Sequence, residues 1–209
     1  RYTVFGLLSR LGCEVLDLGV VADEPDALEA AFVSAAERSD VIITSGGVSV
    51  GEADFTKAIM NKLGDVAFWK IAMRPGRPMA AGQIFREKLA TSPFVSTQAD
   101  YAMDSQLRST GKSILLGLPG NPVSVLATFL TLGRVLIDGM QGRAHRPSRF
   151  ARLQSGIEKM HPRREFVRGT LQVDDTGTQW VTPNAATGSH RLRAAADADA
   201  LLVLAEGAR

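Results

Sequence analysis

The segment TSGGVSVGEADFTK, at positions 44–57, combines glycines, small polar residues and acids after the short apolar run Val-Ile-Ile. A strand that ends in glycines and leads into a helix directs free backbone N–H groups and the positive helix end toward one point. That geometry binds phosphate or another oxyanion. The segment matches neither G-x-x-x-x-G-K-[ST] nor G-x-G-x-x-G. The glycines alone are therefore better explained by a tight turn.

Acidic side chains beside an anion-binding turn need an explanation, because a carboxylate repels phosphate. Glu52 and Asp54 lie within the segment, and Asp23 follows the preceding predicted strand. Mg²⁺ commonly takes one or two carboxylates together with substrate oxygens and water. Helix capping explains Asp23 and Asp54 at least as well, and Glu52 alone is typical of a solvated loop acid. These residues alone do not decide between the two explanations.

A basic turn, WKIAMRPGRP, carries Lys70, Arg74 and Arg77. Residues four apart on a strand lie on the same face, so Lys70 and Arg74 are predicted to point the same way. Cations on a turn stiffened by two prolines suit an anionic substrate. A solubilising hairpin explains the same residues about equally well.

A second junction of glycine turn and helix is LPGNPVS, which includes Gly120. Asn121 is predicted to cap the helix, Pro122 to occupy its first turn and Ser124 to offer a free hydroxyl. A well-capped helix explains the asparagine and the proline completely. It does not explain why this junction should lie beside the first one.

Further along the chain, Arg168 and Ser189 lie near predicted turns and are interpreted as ordinary surface residues. The three histidines lack ligand spacing, so a histidine metal site is not predicted. Cys13 is the only cysteine, which excludes an intramolecular disulfide, and it lies on a predicted buried strand. Covalent catalysis therefore has no obvious candidate.

The composition is that of an ordinary globular protein of 209 residues, with 45% hydrophobic residues and a net charge of +2. The small charge gives no indication of nucleic-acid binding. No apolar run is judged long enough to span a bilayer, and a cytoplasmic protein is expected.

The elements that must position these motifs alternate between strands and helices as far as residue 142. This pattern predicts an α/β domain, 1–142, with a mostly parallel sheet flanked by helices and a surface insertion at 86–112. One of its strands is predicted at 13–19. Both glycine turns then fall at the carboxyl ends of strands, where ligands bind. The alternating pattern that follows predicts a small all-β domain, 143–209.

Taken in order, TSGGVSVGEADFTK, FWKIAMRPGRP and GLPGNPVS resemble the molybdopterin molybdenumtransferase family, which includes the corresponding domain of gephyrin. The resemblance covers nearly the whole chain and implies the molybdopterin-binding fold. The first motif alone is shared with molybdopterin adenylyltransferases and competence/damage-inducible-type proteins. The basic turn followed by LPGNPVS makes the resemblance to the molybdenumtransferases much more specific.

The resemblance implies that molybdate is inserted into adenylylated molybdopterin with release of AMP, assisted by Mg²⁺. Asp54 and Asp23 would hold the metal or position the adenylate, and Lys70 and Arg74 would join them as catalytic residues. Arg74 stands where the family commonly has lysine. Pro75, Ser124, Arg168 and Ser189 would contact molybdate or the dithiolene end. The remaining expected substrate-binding residues lie in the two glycine-rich turns: Ser45, Gly46, Gly47, Val48, Ser49, Glu52, Gly120, Asn121 and Pro122.

The resemblance also implies a homodimer and a molybdopterin adenylyltransferase as a partner, with no nucleic-acid or membrane partner. Family members carry further N-terminal domains, so we expect this chain to be a piece of a longer protein. Two other functions fit parts of the sequence: adenylyl transfer to molybdopterin, and a non-catalytic pterin-binding or scaffold module. The β domain and the basic turn disfavour adenylyl transfer, and the lack of an evident peptide groove disfavours a scaffold.

Overall fold

The computed structural model describes residues 1–48, 54–94, 111–144, 147–159, 161–184 and 196–208. The chain forms two compact units. Unit 1 contains Arg1–Lys70 and Pro78–Gly120, and unit 2 contains Ile71–Arg77 and Asn121–Arg209. Residues 71–77 of the basic turn, which include Arg74 and Arg77, thus belong to the same unit as the C-terminal part of the chain, whereas Lys70 belongs to unit 1. The domain boundary between residues 142 and 143 stays a prediction.

Unit 1 is an α/β layer structure, as predicted. Its helices are α1 (Tyr2–Arg10), α2 (Pro25–Arg38), α3 (Asp54–Leu63) and α4 (Arg86–Leu89), and its strands are β1 (Val41–Ser45), β2 (Gly64–Lys70), β4 (Pro78–Phe85) and β5 (Lys112–Leu118). Between β2 and β4 the chain passes through β3 (Met73–Arg74), which belongs to unit 2.

The sheet of unit 1 has the strand order β1-β5-β4-β2 and is mixed. β1 and β5 are parallel, with Val41 opposite Ile114 and Ser45 opposite Leu118. β4 is antiparallel to both β5 and β2. The prediction of a mostly parallel sheet is therefore wrong for the strands β5, β4 and β2, which pair antiparallel. Only seven residues, 71–77, separate β2 from β4, and a parallel pair needs a crossover of about a dozen or more.

The strand predicted at 13–19 does not form, because no described strand pairs with it. Asp17 binds the Arg1 guanidinium at 2.9 Å and accepts a hydrogen bond from the Gly19 backbone N–H at 2.9 Å. Such local side-chain bonds stabilise a turn at the expense of an extended ladder. Cys13 is partly exposed here, and it does not lie on a buried strand.

The core of unit 1 lies between its helices and its sheet. Leu89, near the start of the predicted surface insertion, belongs to this core. Arg86 donates to the carbonyl oxygen of Ala36 at 2.9 Å and to that of Ser39 at 3.3 Å, which satisfies acceptors at the C-terminal end of α2. The first residues of the predicted surface insertion, 86–89, therefore pack against unit 1. The buried residues that form the core are Phe32, Val33, Ala35, Ala36, Ile42, Val48, Ile59, Met60, Leu63, Val66, Ala80, Ile84, Leu89 and Leu115.

Unit 2 begins its C-terminal part with α5 (Pro122–Met140), which contains a π-helical stretch at Phe129–Gly133. By length and by its mean hydropathy of 1.5, α5 could cross a membrane. The stretch contains Arg134 and Asp138, so it is not an uninterrupted apolar run. Half of this stretch is buried inside the protein, as in the core helix of a globular unit, so its composition is weak evidence for a membrane.

The rest of unit 2 is the predicted β-rich part. Its strands are β6 (Arg152–Leu153), β7 (Arg164–Val173), β8 (Gln179–Pro183) and β9 (Ala200–Leu204). They form a sheet in the order β3-β7-β8-β6, and β9 also pairs with β7. β3 lies parallel to β7, so the two-residue strand of the basic turn is part of this sheet.

Candidate functional site

The two glycine turns meet at the end of the parallel pair β1 and β5. The backbone N–H of Gly46 donates to the carbonyl oxygen of Leu118 at 3.0 Å. A Cβ built on Gly120 would lie 3.6 Å from the Cα of Gly46. Gly46 and Gly47 have φ values of +100° and +68°, which favour glycine. The predicted juxtaposition of these turns at one edge of the sheet is confirmed.

Val48, predicted to bind substrate, has its side chain in the core of unit 1. A Cβ on Gly117 would lie 2.7 Å from Val48 Cγ1 and 2.9 Å from the Cβ of Ala80. The side chain of Val48 therefore anchors the turn, which leaves only its backbone as a group that could contact a substrate. A Cβ on Gly47 would lie 3.3 Å from Thr56 Oγ1, so the turn also packs closely against α3.

The acidic residues are described only in part. Ser49 and Glu52 lie outside the described residues, and α3 begins at Asp54 itself, whose side chain is likewise not described. Asp23 is exposed, and Glu24 takes the N-cap position of α2. The capping explanation for Asp23 is therefore wrong. Its carboxylate makes no hydrogen bond to any residue that the structure describes.

Within unit 2 the backbone of the basic turn is fixed by hydrogen bonds and by close packing against β7 and α5. Its ends are closed by a hydrogen bond from the Ile71 N–H to the carbonyl oxygen of Arg77 at 2.8 Å. The N–H of Arg164 donates to the Ala72 carbonyl oxygen at 3.1 Å, which joins the turn to β7. Gly76 has φ +97°, and a Cβ there would lie 2.6 Å from Thr128 Cγ2 on α5. The backbone of the turn therefore has little freedom.

The cations of the turn remain accessible. The side chain of Arg74 is 51% exposed, and its Nε lies 3.8 Å from Glu165 Oε1 on β7. Lys70, at the end of β2, is exposed, and Pro75 is half-buried. Because Lys70 belongs to unit 1 and Arg74 to unit 2, their predicted common direction stays a prediction.

The start of α5 confirms the predicted cap. Asn121 Oδ1 accepts hydrogen bonds from the N–H groups of Val123 at 3.1 Å and Ser124 at 3.4 Å, and Pro122 occupies the first turn. Ser124 differs from the prediction of a freely presented hydroxyl, because the residue is only 7% exposed. A Cβ on Gly76 would lie 3.3 Å from the Ser124 carbonyl oxygen, so the basic turn and this helix start lie together.

Arg168 is 6% exposed on β7, so its interpretation as a surface residue is wrong. Burial lowers the pKa of its guanidinium. The alternation of β7 contained the signal: Arg168 lies on the same strand face as the apolar Phe166. Ser189 lies outside the described residues.

Two residues that the sequence patterns did not single out lie beside the basic turn. Glu165 contacts Arg74 from the neighbouring strand, and His161 Nε2 lies 3.3 Å from the other oxygen of the same carboxylate. The pairing of β3 with β7 brings Glu165 opposite Arg74, and no local sequence signal predicts that register.

Two family models match the chain. The model for a probable molybdopterin binding domain matches residues 1–138. The model for the MoeA C-terminal region, domain IV, matches residues 151–209.

Individual relatives agree with these matches. A molybdopterin molybdenumtransferase from Haemophilus influenzae is 39% identical over 98% of this chain and 45% of its own length. A gephyrin from Dictyostelium discoideum is 30% identical over 90% of this chain and 26% of its own length. A crystal structure of a molybdopterin biosynthesis MoeA protein from Pyrococcus horikoshii superimposes with a TM-score of 0.66 at 26% identity, over 97% of this chain and 42% of that one.

The chain thus spans less than half the length of these relatives. Its first two thirds carry the molybdopterin-binding region and its last part the MoeA C-terminal region, in the same order as the predicted α/β and β-rich parts. The chain therefore belongs to the molybdopterin-binding-domain family.

Proposed function

We propose that this chain is the catalytic region of a molybdopterin molybdenumtransferase, which inserts molybdate into adenylylated molybdopterin and releases AMP. One observation carries the proposal: a relative of that name aligns with 98% of the chain, through both the α/β part and the β-rich part. A molybdopterin-binding region alone would leave the type of reaction open, because the same region resembles that of the adenylyltransferases.

In this proposal the two glycine turns of unit 1 bind the phosphate groups of the substrate. The described part of this site supports the role through Gly46, Gly47 and Gly120, which lie together at the carboxyl ends of β1 and β5. A Cβ on Gly46 would have nothing within 4 Å, so this glycine leaves room for a ligand. Ser45, Asn121 and Pro122 flank these glycines along the chain. Backbone N–H groups at such a turn recognise an anion without a charged side chain. Ser49 and Glu52 remain proposed ligands from sequence.

The donor chemistry of the acidic residues fits Mg²⁺. Asp23 has an exposed carboxylate with no hydrogen bond to any described residue, so its oxygens are available to a cation. No group of three potential metal-ligating side chains occurs among the described residues. Mg²⁺ does not require one, because it commonly binds one or two carboxylates, substrate oxygens and water. We assign Asp23 and Asp54 as its ligands, and bound Mg²⁺ would neutralise charge on the phosphates.

The oxyanion to be inserted requires a cationic subsite, which we place at the basic turn. Arg74 offers an exposed guanidinium there, with Pro75 beside it. Lys70, which is exposed in unit 1, remains a further proposed cation from the sequence. A guanidinium binds an oxyanion through two parallel N–H groups. Ser124, Arg168 and Ser189 are proposed to contact molybdate or the dithiolene end of the pterin. The buried position of Arg168 gives its charge a less screened field than a surface arginine has.

Two other functions make different predictions. An adenylyltransferase would form adenylylated molybdopterin from ATP, and a scaffold module would bind a protein partner without turnover. The match of residues 151–209 to a MoeA C-terminal region favours the transferase over both.

The test uses the full-length protein that contains this chain, with adenylylated molybdopterin, molybdate and Mg²⁺, and follows the release of AMP. We expect release that depends on both molybdate and Mg²⁺. In Asp54→Asn the rate should fall by about a hundredfold or more, because a metal ligand or adenylate-positioning carboxylate is lost. No AMP release by the wild type would refute the function.

Asp26→Asn is the matched control, since Asp26 lies in the first turn of α2 as Asp54 does in α3. Both substitutions remove a carboxylate from the positive end of a helix and should lower stability by a similar amount, about 0.5 kcal/mol. Only Asp54→Asn should lower activity. Equal activity of the two variants would reduce Asp54 to a residue that stabilises its helix.

We further propose a cytoplasmic homodimer that receives its substrate from a molybdopterin adenylyltransferase. Light scattering should give twice the mass of one full-length chain, and cell fractionation should recover the protein without membranes. Co-purification of the adenylyltransferase would support direct transfer, and its absence would indicate that the substrate diffuses between enzymes.

A further inference from the structure

The side chain of Glu165 lies between Arg74 of the basic turn and His161. Its Oε1 is 3.8 Å from Arg74 Nε, and its Oε2 is 3.3 Å from His161 Nε2. All three residues belong to unit 2, and Glu165 stands directly opposite Arg74 in the register of β3 and β7. One carboxylate is thus shared by an exposed cation and a nearly buried imidazole.

The imidazole of His161 and the carboxylate of Glu165 are both largely protected from water. The side chains of His161 and Glu165 are 11% and 16% exposed. Neither ring nitrogen of His161 has a hydrogen bond with proper geometry to a described residue, so the 3.3 Å approach to Glu165 is a contact without a directed bond. The ring therefore limits the positions available to the carboxylate mainly by contact.

On the other side, Arg74 meets the carboxylate only through the Nε edge of its guanidinium. The distance of 3.8 Å is too long for a hydrogen bond, so the pair contributes little to stability. The two terminal nitrogens make no hydrogen bond to any residue in the described part of the chain. They are the pair of donors that an oxyanion binds in a bidentate manner.

The backbone beneath Arg74 is already fixed by the hydrogen bonds to Arg77 and β7 and by the contact of Gly76 with α5. The long side chain of Arg74 keeps its rotational freedom, and immobilising such a side chain costs conformational entropy. A fixed carboxylate at the Nε edge lowers this cost when an anion binds to the opposite edge.

We propose that Glu165 is a positioning residue for Arg74, which orients the guanidinium so that its terminal nitrogens bind the oxyanion substrate. The inference rests on the proposed function for the identity of the oxyanion. His161 lies behind the carboxylate and holds it toward Arg74. Because Glu165 acts through Arg74, its effect requires the arginine to be present.

The experiment compares Glu165→Gln, Arg74→Ala and the double variant in the full-length protein. Two properties are measured: binding of molybdate alone by calorimetry, and the KM for molybdate in the AMP-release assay. Glu165→Gln should weaken binding and raise this KM about five- to tenfold, with kcat changed by less than about twofold. The double variant should bind molybdate no more weakly than Arg74→Ala, because the partner through which Glu165 acts is gone.

Controls separate positioning from a structural role. Glu158 and Glu165 both line a cavity of about 320 Å³. Glu158→Gln removes the charge of the other glutamate and should leave molybdate binding unchanged. Glu165→Asp keeps the charge and should restore part of the binding that Glu165→Gln loses. Unchanged binding in Glu165→Gln, or a loss that persists in the Arg74→Ala background, overturns the proposal. If both Glu165 variants lose their fold, Glu165 is a structural residue and the proposal is likewise wrong.

The two proposals fail in different ways. A wild type that binds molybdate with the expected coupling but releases no AMP would refute the transferase and leave the positioning role intact. A wild type that releases AMP without coupling between Arg74 and Glu165 would refute the positioning role only.

Discussion

Glu29 is a buried charge in unit 1 whose partners come from distant parts of the sequence. Lys62 Nζ donates to its two carboxylate oxygens at 2.7 and 2.9 Å, and Ser92 Oγ donates to Oε1 at 2.7 Å. The hydrogen bond from Lys62, followed by that from Ser92, lowers the pKa of Glu29 below its usual value. These contacts join α2, α3 and the segment after α4, so one carboxylate connects three parts of the fold.

Glu29→Gln should lower the free energy of unfolding by about 2 kcal/mol at pH 7. A lowered pKa in the folded state means that the charge stabilises the fold above the unfolded-state pKa of about 4.3, and that this stabilisation is lost as the pH falls through the folded-state pKa. Wild type and variant should therefore converge in stability only once the pH has fallen below the lowered folded-state pKa of Glu29. Urea unfolding across this pH range measures the difference, with exposed Glu14→Gln as control. A difference that is independent of pH would contradict the role of the charge.

At the scale of elements, the turn after β1 is positioned by its packing on β5. Gly117 leaves the space that Val48 fills, and Val48 in turn fixes the path of the chain out of Gly46 and Gly47. The shape of the glycine turn thus depends on a residue of the neighbouring strand about seventy positions away. Local sequence explains why a turn occurs there, and the strand pair explains where it points.

Gly117→Ala should therefore affect both stability and substrate binding. A Cβ at 2.7 Å from Val48 Cγ1 overpacks the site, which costs about 1–3 kcal/mol, and displaces Val48 together with the turn. We expect a higher KM for adenylylated molybdopterin and a lower unfolding midpoint. Gly6→Ala is the control: nothing lies within 4 Å of a Cβ on this helical glycine, so it should stabilise α1 by about 0.5–1 kcal/mol. Equal behaviour of the two variants would contradict the packing argument.

For the whole molecule, 24 basic and 22 acidic residues give a net charge of only +2. Such a balance provides no strong overall field, so attraction of an anionic substrate must come from local cations such as Lys70 and Arg74. Both are exposed, and salt screens exposed charges effectively.

The KM for adenylylated molybdopterin should therefore rise several-fold between about 0.05 and 0.5 M NaCl, with little change in kcat. Arg74→Ala should show a smaller rise, because one of the screened cations is already absent. Initial rates of AMP release at several salt concentrations provide the measurement. A KM that does not depend on salt would mean that the substrate is recognised through groups protected from solvent.

Local features were predictable because they depend on neighbouring residues. The tight turn at Gly46 and Gly47 and the cap at Asn121 each follow from the conformational preferences of a few adjacent residues. The alternation of strands and helices likewise predicted an α/β part followed by a β-rich part. The order of three motifs was enough to predict the family.

The tertiary structure alone decided what depends on strand direction and register. It makes the first sheet mixed, buries the side chain of Val48, and brings Glu165 opposite Arg74. None of these follows from local preference, because each is set by which distant strand supplies the hydrogen bonds and which face the core covers. The sequence by itself therefore determined the kinds of residues available for anion chemistry, and the packing of distant elements determined which of them can act together.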